Sequence, residues 1–567
     1  MTAPLFGWYG DDFTGATDTL AVLAQAGLRS MLFMGVPSPE ALAAAGPLDA
    51  MGIAGAARAM APDAMRTEMT AVGRFFQQVA PPVLHYKVCS TFDSAPHVGN
   101  IACGIQTLHP FVENRWVPIV GGQPSLGRYC AFSNLFAAAG TGGAVHRIDR
   151  HPTMRQHPVT PMGEADLRVH LAAQGLDGIT ALHYPQYGTA PQALDATLRT
   201  LLDTNAPLSP TLLDLTAPDQ LATVGRLLWQ QAQQARLLAV GSSAVAQALV
   251  AYWAGPAPKA APVLAAAEGP VFAWAGSLSP LTAAQVQAAT AYQRIAVDAQ
   301  RLGSDAGYVQ TLQDTICAGL RSGAHVLAYT GPTDGTAANT SSAAQVAHAS
   351  AALVARVVQA QTDHGTPLRR VGIAGGDTSS HAVQALQLWG LSYQSTICPG
   401  VTLSRAHSPD PARDGLELML KGGQMGGDDL FEDVYDIRAM TYVPKPHRQA
   451  YDGFLARQGI DPAWVAAEIR AESVFDPKAR SSADARGLMQ VVPATGAEVA
   501  ARLGLRWTGS NDLYDADTNI AIGTAYLRQL MDRYGGKPYQ VIAGYNAGPA
   551  PLGRWMAQRA GMDPDLW

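Results

Sequence analysis

The chain has 567 residues, of which 48% are apolar and 15% charged, with a formal net charge of −6. At about 100–200 residues per domain, that length implies about three domains, and the apolar share implies packed cores rather than long disorder. A net acidic chain carries no basic footprint for nucleic acid or an anionic membrane.

The five cysteines (Cys89, Cys103, Cys130, Cys317 and Cys398) are odd in number and scattered, which reads as reduced thiols. Neither a CxxC nor an HExxH spacing occurs, so no metal site is expected. The opening MTAPLFGWYGDDFTG has no basic segment followed by an apolar one. No apolar run is long enough to cross a membrane. The expectation is a cytoplasmic protein with no membrane span.

Residues 1–255 alternate short apolar runs with helical patterns (PLFGWYG, GATDTLAVLAQAGL, SMLFMG), which predicts βαβ units and a parallel sheet. In GWYGDDFTGATDT (7–19) an apolar strand ends on Asp11 and Asp12, and Gly15 permits a tight turn into a helix. Ligands of open α/β folds bind at the carboxyl ends of strands. Paired carboxylates there can grip sugar hydroxyls, or merely cap the turn. HYKVCSTFDSAPHVGN (85–100) adds Lys87, Ser90, Thr91, Asp93 and Asn100 after another apolar stretch. RIDRHPTMRQHPVTPM (147–162) adds Arg147, Arg150, His151 and His157, and a guanidinium fork suits a carboxylate ligand.

The Pro/Ala-rich stretch 254–270 reads as a connection, and a second α/β domain follows over 270–431. It carries three glycine or hydroxyl loops at strand-to-helix junctions: WAGSLSPLTAAQV (274–286) with Ser277 and Ser279, RVGIAGGDTSSHAV (370–383), and LKGGQMGG (420–427). Backbone N–H groups at a helix start make an anion site. No GxxxxGK[ST] is present, so the chain is not a P-loop protein.

Together GDDFTGATDT, KVCSTFDSxxxxGN, RHPTMxxHPVTPM, GSLSPLTAAQ, AGGDTSS and LKGGQMGG resemble the four-carbon acid sugar kinase family over about residues 3–431. The resemblance implies a first domain that binds a tetronate-like sugar acid and a second that binds ATP, usually with Mg²⁺. It assigns Asp12 as catalytic, with Asp11, Lys87, Ser90, Asp93, Arg150 and His151 facing the sugar acid. Ser277, Ser279, Gly375, Gly376, Asp377, Thr378, Gly422 and Gly423 would face the nucleotide. Many members read K-x-D-S-T-L-R-G-N where this chain reads KVCSTFDSAPHVGN, so the motif's arginine is missing and the substrate is expected to differ from erythronate or threonate.

From about 447 the texture changes to helices in series. DPAWVAAEIRAES has Asp461 as N-cap and Pro462 at the first helical position. Helical phase puts Glu472 on the Val465–Ile469 face, toward the core, where desolvation raises a carboxyl pKa as a glycosidic acid requires. Glu468 is expected nearer the Trp464 face and solvated. With no second carboxylate in place, attack by the sugar's own 6-hydroxyl would give a 1,6-anhydro product. ES-x-F-x-P, GLMQ, P-A-T, NI-x-x-G-x-x-YL and GYNAGP resemble the lytic transglycosylase domain of goose-lysozyme-like fold over about 445–567. The resemblance makes Glu472 the acid/base, Met489, Gln490, Tyr545 and Asn546 groove residues, and Tyr545 the group that orients Glu472. It also makes the domain short at its carboxyl end.

The expected whole is a two-domain α/β kinase (1–255 and 270–431) followed by an all-α lysozyme-like domain (445–567), joined through an exposed stretch from Asp433 to Pro446. The expected partners are a small sugar acid, peptidoglycan strands for the last domain, and a second copy of the chain. The alternative function is a peptidoglycan lyase with the first 430 residues as scaffold.

Overall fold

The computed structural model describes residues 3–139, 143–157, 159–202, 206–253, 267–276, 279–330, 343–398, 400–422, 425–435, 460, 462–473 and 476–558. It divides into two compact units, Met1–Ile437 and Arg438–Trp567. The expected linkers at 254–270 and 433–446 fall mostly outside the described residues.

The first unit is built as the alternation of apolar runs and helical patterns implies. Strand Phe6–Gly10 is buried at every position, as in a parallel sheet covered on both faces. Eight strands run parallel, in the spatial order Thr180–Leu182, Ser209–Leu213, Trp116–Val120, Leu237–Gly241, Val83–Lys87, Phe6–Gly10, Ala50–Ala54, Ser30–Phe33. In the second half, Glu417–Lys421, Arg370–Ala374, Phe272–Ala275, His325–Thr330 and Tyr292–Val297 are likewise parallel to one another.

The two halves share one sheet. Ser30–Phe33 pairs antiparallel with Gly390–Cys398, which pairs through Val401–His407 with Glu417–Lys421, giving fifteen strands in all. This junction reverses the strand direction, so in a flat sheet the two sets of carboxyl ends would lie on opposite edges. Six strand-to-strand steps separate Phe6–Gly10 from Arg370–Ala374. At about 20–25° per step the sheet turns by about 120–150° over that span, which brings both sets toward one side. Accordingly, helix Phe13–Gln25, which follows the first strand, packs on helix Gly376–Ala385, which follows the other. Gln25 Nε2 donates to Tyr393 Oη and Thr396 Oγ1 at 2.9 and 2.8 Å.

A four-stranded antiparallel sheet (Gly122–Gln123, Arg128–Ala131, Asn134–Ala138, Val145–Arg147) grows from the carboxyl end of Trp116–Val120. Its central turn puts Phe132 and Ser133 at positive φ, the hairpin geometry that matches strand twist. The buried Asp214 carboxylate holds that turn, accepting from Phe132 N at 2.7 Å and Ser133 N at 3.0 Å.

The second unit shows only helices as regular long elements among its described residues: Pro462–Ser473, Pro493–Leu503, Ala516–Arg533, Pro538–Ala547 and Pro549–Gln558. Four of them open on proline, whose missing N–H costs nothing at that position. Val465, Ile469, Leu488, Met489, Ile520, Leu527 and Val541 form the core. Fully buried Asn519 pins the 486–489 loop, accepting from Met489 N at 2.7 Å and donating to Arg486 O and Leu513 O at 2.8 Å.

Candidate functional site

At the carboxyl edge of the first eight strands, Asp12 caps helix Phe13–Gln25 by accepting from Gly15 N at 2.8 Å. The same carboxylate takes Lys87 Nζ at 3.4 Å and Arg58 Nη2 at 2.7 Å. Asp11 lies 3.3 Å from Arg58 and 3.9 Å from Lys87. Gly15 makes this packing feasible, since a Cβ there would sit 1.6 Å from Lys87 Nζ. Burial alone would raise the Asp12 carboxyl, but Arg58 and Lys87 outweigh it and hold Asp12 well below the usual carboxylate range. For Asp11 burial wins over the same two cations, and its pKa is raised. Burial works against the Lys87 ammonium, but Asp12 and Asp11 raise its pKa overall. Beside them, Asp93 is buried and accepts from Thr91 Oγ1 at 2.5 Å, and Ser90 is half-buried.

Across the crevice, Gly375 takes a φ of 127° just before helix Gly376–Ala385. A Cβ on Gly376 would meet nothing within 4 Å, so the helix start faces open space. The loops interlock, since a Cβ on Gly276 would lie 2.4 Å from Thr378 Oγ1. Ser279 caps helix Pro280–Ala288, accepting from Thr282 N at 3.1 Å. Behind the third loop, Lys421 is fully buried. Its Nζ donates to Thr282 Oγ1 at 3.1 Å, Gln285 Oε1 at 2.5 Å and Met425 O at 3.3 Å, all neutral acceptors. Burial pushes its pKa down to about 8. Gln285 Nε2 in turn donates to Met425 O and Gly427 O, so one amide staples the 422–427 loop to the neighbouring helix.

In the second unit, Glu472 opens onto a groove of about 390 Å³ lined also by Ser481, Gln490, Thr495, Tyr526, Tyr545 and Asn546. Burial raises the Glu472 pKa. One turn earlier Glu468 is only 7% exposed, and burial together with Glu472 pushes it up to about 7.

Three family models match: a sugar-binding N-terminal domain over residues 6–249, a nucleotide-binding C-terminal domain over 272–431, and a transglycosylase SLT domain over 453–567. A curated relative from Paraburkholderia graminis, named 3-oxo-isoapionate kinase, is 36% identical over 456 residues, covering 76% of this chain and 94% of that protein. The chain belongs to the four-carbon acid sugar kinase family. The kinase carries the SLT domain as an addition: a Haemophilus influenzae protein grouped by name with the soluble lytic murein transglycosylases is 34% identical over 119 residues, 21% of this chain and 20% of that one. The solved structure of a Haemophilus influenzae protein of the DUF1537 family matches with a TM-score of 0.58 at 23% identity, covering 75% of this chain and 98% of that one, and speaks to the fold alone.

The kinase fold brings Asp11, Asp12, Lys87, Ser90 and Asp93 together at one strand edge. Arg150 is exposed and Arg147 is paired with Asp149. His151 spends its ring on its own loop: Nδ1 accepts from Thr153 N and Met154 N at 3.2 Å, so Nε2 carries the proton and points to Ala138 O. Gly375, Gly376, Thr378, Ser279 and Gly422 gather at the second crevice edge. Ser277 and Gly423 lie outside the described residues, as does the Asp377 side chain. Asp461 does too.

Three expectations for the last domain need correction. Glu468, expected to be solvated, is buried, because it shares the helix arc of the buried Val465, whereas Glu472 is half-buried with its pKa raised by burial, as expected. The Met489 side chain fills the core against Gly523 instead of lining the groove. The Tyr545 hydroxyl donates to Met489 O at 2.9 Å, so its proton is not directed at Glu472.

Arg58 and Lys421 belong to these two edges without standing out in the sequence. Arg58 sits in the turn Ala57–Ala59 just after strand Ala50–Ala54, at the carboxyl edge where ligands bind. That position was the available signal. Lys421 stands in LKGGQMGG itself, next to the glycines that mark the loop.

Proposed function

We propose that the kinase transfers the γ-phosphoryl group of ATP to a hydroxyl of a 3-oxo sugar acid, of the branched isoapionate or the linear tetronate type. The observation that carries this is the contact between two unlike edges: helix Phe13–Gln25, which starts at the Asp12 clamp, packs on helix Gly376–Ala385, which starts at the Gly375 turn. One edge is an ionised carboxylate clamp suited to hydroxyls, and the other a side-chain-free helix start suited to phosphate. Asp12, kept ionised by Arg58 and Lys87, is a hydrogen-bond acceptor that orients the attacking hydroxyl. The 36% identity to the 3-oxo-isoapionate kinase supports a branched acid over erythronate or threonate.

Among the described residues no group of three or more His, Cys, Asp or Glu side chains could hold a metal alone. Mg²⁺ therefore fits as a passenger on the nucleotide phosphates, which supply most of its ligands and whose charge it neutralises. ATP supply puts this chemistry in the cytoplasm. No described helix is long and apolar enough to cross a membrane.

The test is purified protein with ATP, Mg²⁺ and a panel of 3-oxo-isoapionate, 3-oxo-tetronate, erythronate and threonate, with ADP release as readout. Turnover on a 3-oxo acid well above the other acids is expected. ADP release on none of the panel would end the proposal.

The Glu472 groove favours a second activity on peptidoglycan, giving 1,6-anhydro products with one carboxyl as acid and then base. Mass spectrometry of digests should show anhydro-muropeptides that Glu472→Gln abolishes. Ordinary reducing ends in their place would contradict the mechanism.

A further inference from the structure

We propose that Arg128 reads the carboxylate of the sugar acid and so decides that the kinase takes acids and not neutral sugars. The inference rests on the sugar-acid reading above and adds the residue that enforces it.

The charge balance at the crevice calls for such a residue. Arg58 and Lys87 are committed to Asp11 and Asp12. Asp93 adds a third carboxyl nearby, so these five groups alone offer no surplus positive charge to an anion. An incoming carboxylate needs a cation that is not already neutralised. Arg147 is paired with Asp149, and Arg168 with Asp166 at 2.7 Å. Arg150 is exposed.

Arg128 is different. It lies on strand Arg128–Ala131 of the small sheet, and no ion pair to it is found among the described residues. Its Nη1 donates to Leu126 O, and its Nε is buried without a hydrogen-bond partner. Side chains two apart on a strand share a face. Arg128 therefore shares the face of Cys130, whose Sγ approaches the buried Asp214 at 3.5 Å at the carboxyl edge of the main sheet. Its charge is felt at Cys89, next to Ser90 in the substrate loop, and at His151. Arg128 is half-buried, and burial lowers its pKa.

Its neighbour Leu126 also fixes it relative to the nucleotide side. A Cβ on Gly400 would lie 3.5 Å from Leu126 Cδ2 and 1.9 Å from Met425 Cε, so this loop abuts the glycine loop. A carboxylate held in the Arg128 fork thus leaves the rest of a short sugar acid between the Asp12 clamp and the phosphate loop. A guanidinium suits this task because its planar fork meets both carboxylate oxygens.

The test is calorimetric titration of the full-length protein with 3-oxo-tetronate, and with erythronate against erythritol as an acid and neutral pair. Parent, Arg128→Gln and Arg128→Lys are compared, with ATP titrated separately. The parent should bind acid over neutral polyol, and Arg128→Gln should weaken acid binding by about 10- to 100-fold, the scale of a charged hydrogen-bonded contact. ATP affinity should be unchanged in both variants, which also shows that they are folded, and Arg128→Lys should recover part of the loss. Equal acid binding by parent and Arg128→Gln would overturn the assignment of Arg128 alone. A parent that binds none of the acids would overturn the sugar-acid reading and this assignment with it.

Discussion

Each unit of this molecule places two acidic residues close together, and one member of each pair is pushed the opposite way: Asp12 down and Glu468 up. Asp11 and Asp12 share Arg58 and Lys87, so the Asp12 carboxyl is held well below its usual range despite burial. Glu468 and Glu472 sit one helical turn apart, with no cation paired to either among the described residues, and both are raised. Burial opposes the charged form in both places. What differs is whether the fold supplies a counter-charge. The difference suits the chemistries: a kinase needs a fixed negative clamp that orients a hydroxyl, and a glycosidic acid needs a proton to give at neutral pH.

The largest expected effect comes from removing the counter-charge. Arg58→Met leaves the Asp11–Asp12 pair short of a cation in a buried setting, and breaking such a pair costs about 3–5 kcal/mol. Urea denaturation monitored by hydrogen exchange in peptides of the first unit should show that loss, with peptides of the second unit unaffected. A loss under about 1 kcal/mol would mean that water, and not Arg58, neutralises the acids.

The opposite substitution should stabilise. Glu468 titrates near 7 in the folded protein and near 4.5 unfolded, so between those values the folded state holds the extra proton. Its contribution is therefore complete below pH 4.5 and is lost as pH rises through 7. Glu468→Gln should strengthen the second unit by about 1–3 kcal/mol at pH 8 and by almost nothing at pH 4. A gain of the same size at both pH values would point to packing in place of charge.

The first unit should respond to pH with the reverse sign through a different group. His85 is fully buried, its Nε2 is 3.0 Å from Gly241 O, and burial pushes its pKa down to about 3. Unfolded, it titrates near 6.5, so below that pH the unfolded chain binds the extra proton and stability falls. Between pH 7 and 5 the first unit should lose about 2 kcal/mol, measurable by the same exchange experiment, and His85→Asn should flatten the slope.

The smallest effect concerns ATP. Among the described residues Lys421 donates to neutral acceptors behind the glycine loop, so any effect of its charge on ATP is exerted from a distance and through loop shape. Lys421→Met should weaken ATP binding by about tenfold, the equivalent of 1.4 kcal/mol, with sugar-acid binding unchanged. Unchanged ATP affinity would reduce Lys421 to a buried staple.

These charge states mark where the sequence stops informing. The helix starts at Asp12, Ser279 and Pro462 follow from local rules of capping and proline placement, and so does the set of loops at strand ends. The clamp itself is non-local: Arg58 is 46 residues from Asp12 in the chain, and only the neighbouring placement of strands Phe6–Gly10 and Ala50–Ala54 joins them. The shared sheet was also hidden, because the Ser30–Phe33 to Gly390–Cys398 pairing has no sequence signature and reverses the strand direction. Helical phase misjudged Glu468 for a related reason. Phase names a face of the helix, but which face the neighbouring helices cover is settled by packing, and here the covered arc is wide enough to include both glutamates' turn of helix.

Selective ¹³C labelling of Asp and Glu carboxyls, followed by NMR titration from pH 4 to 9, tests the contrast between the two pairs most directly. The Asp12 carbon, assigned through Asp12→Asn, should show the ionised shift across the whole range. The Glu468 carbon, assigned through Glu468→Gln, should move from the protonated to the ionised shift with a midpoint near 7. If instead both carbons titrate together near the ordinary carboxylate value of about 4, the fold does not hold Asp12 and Glu468 in opposite states.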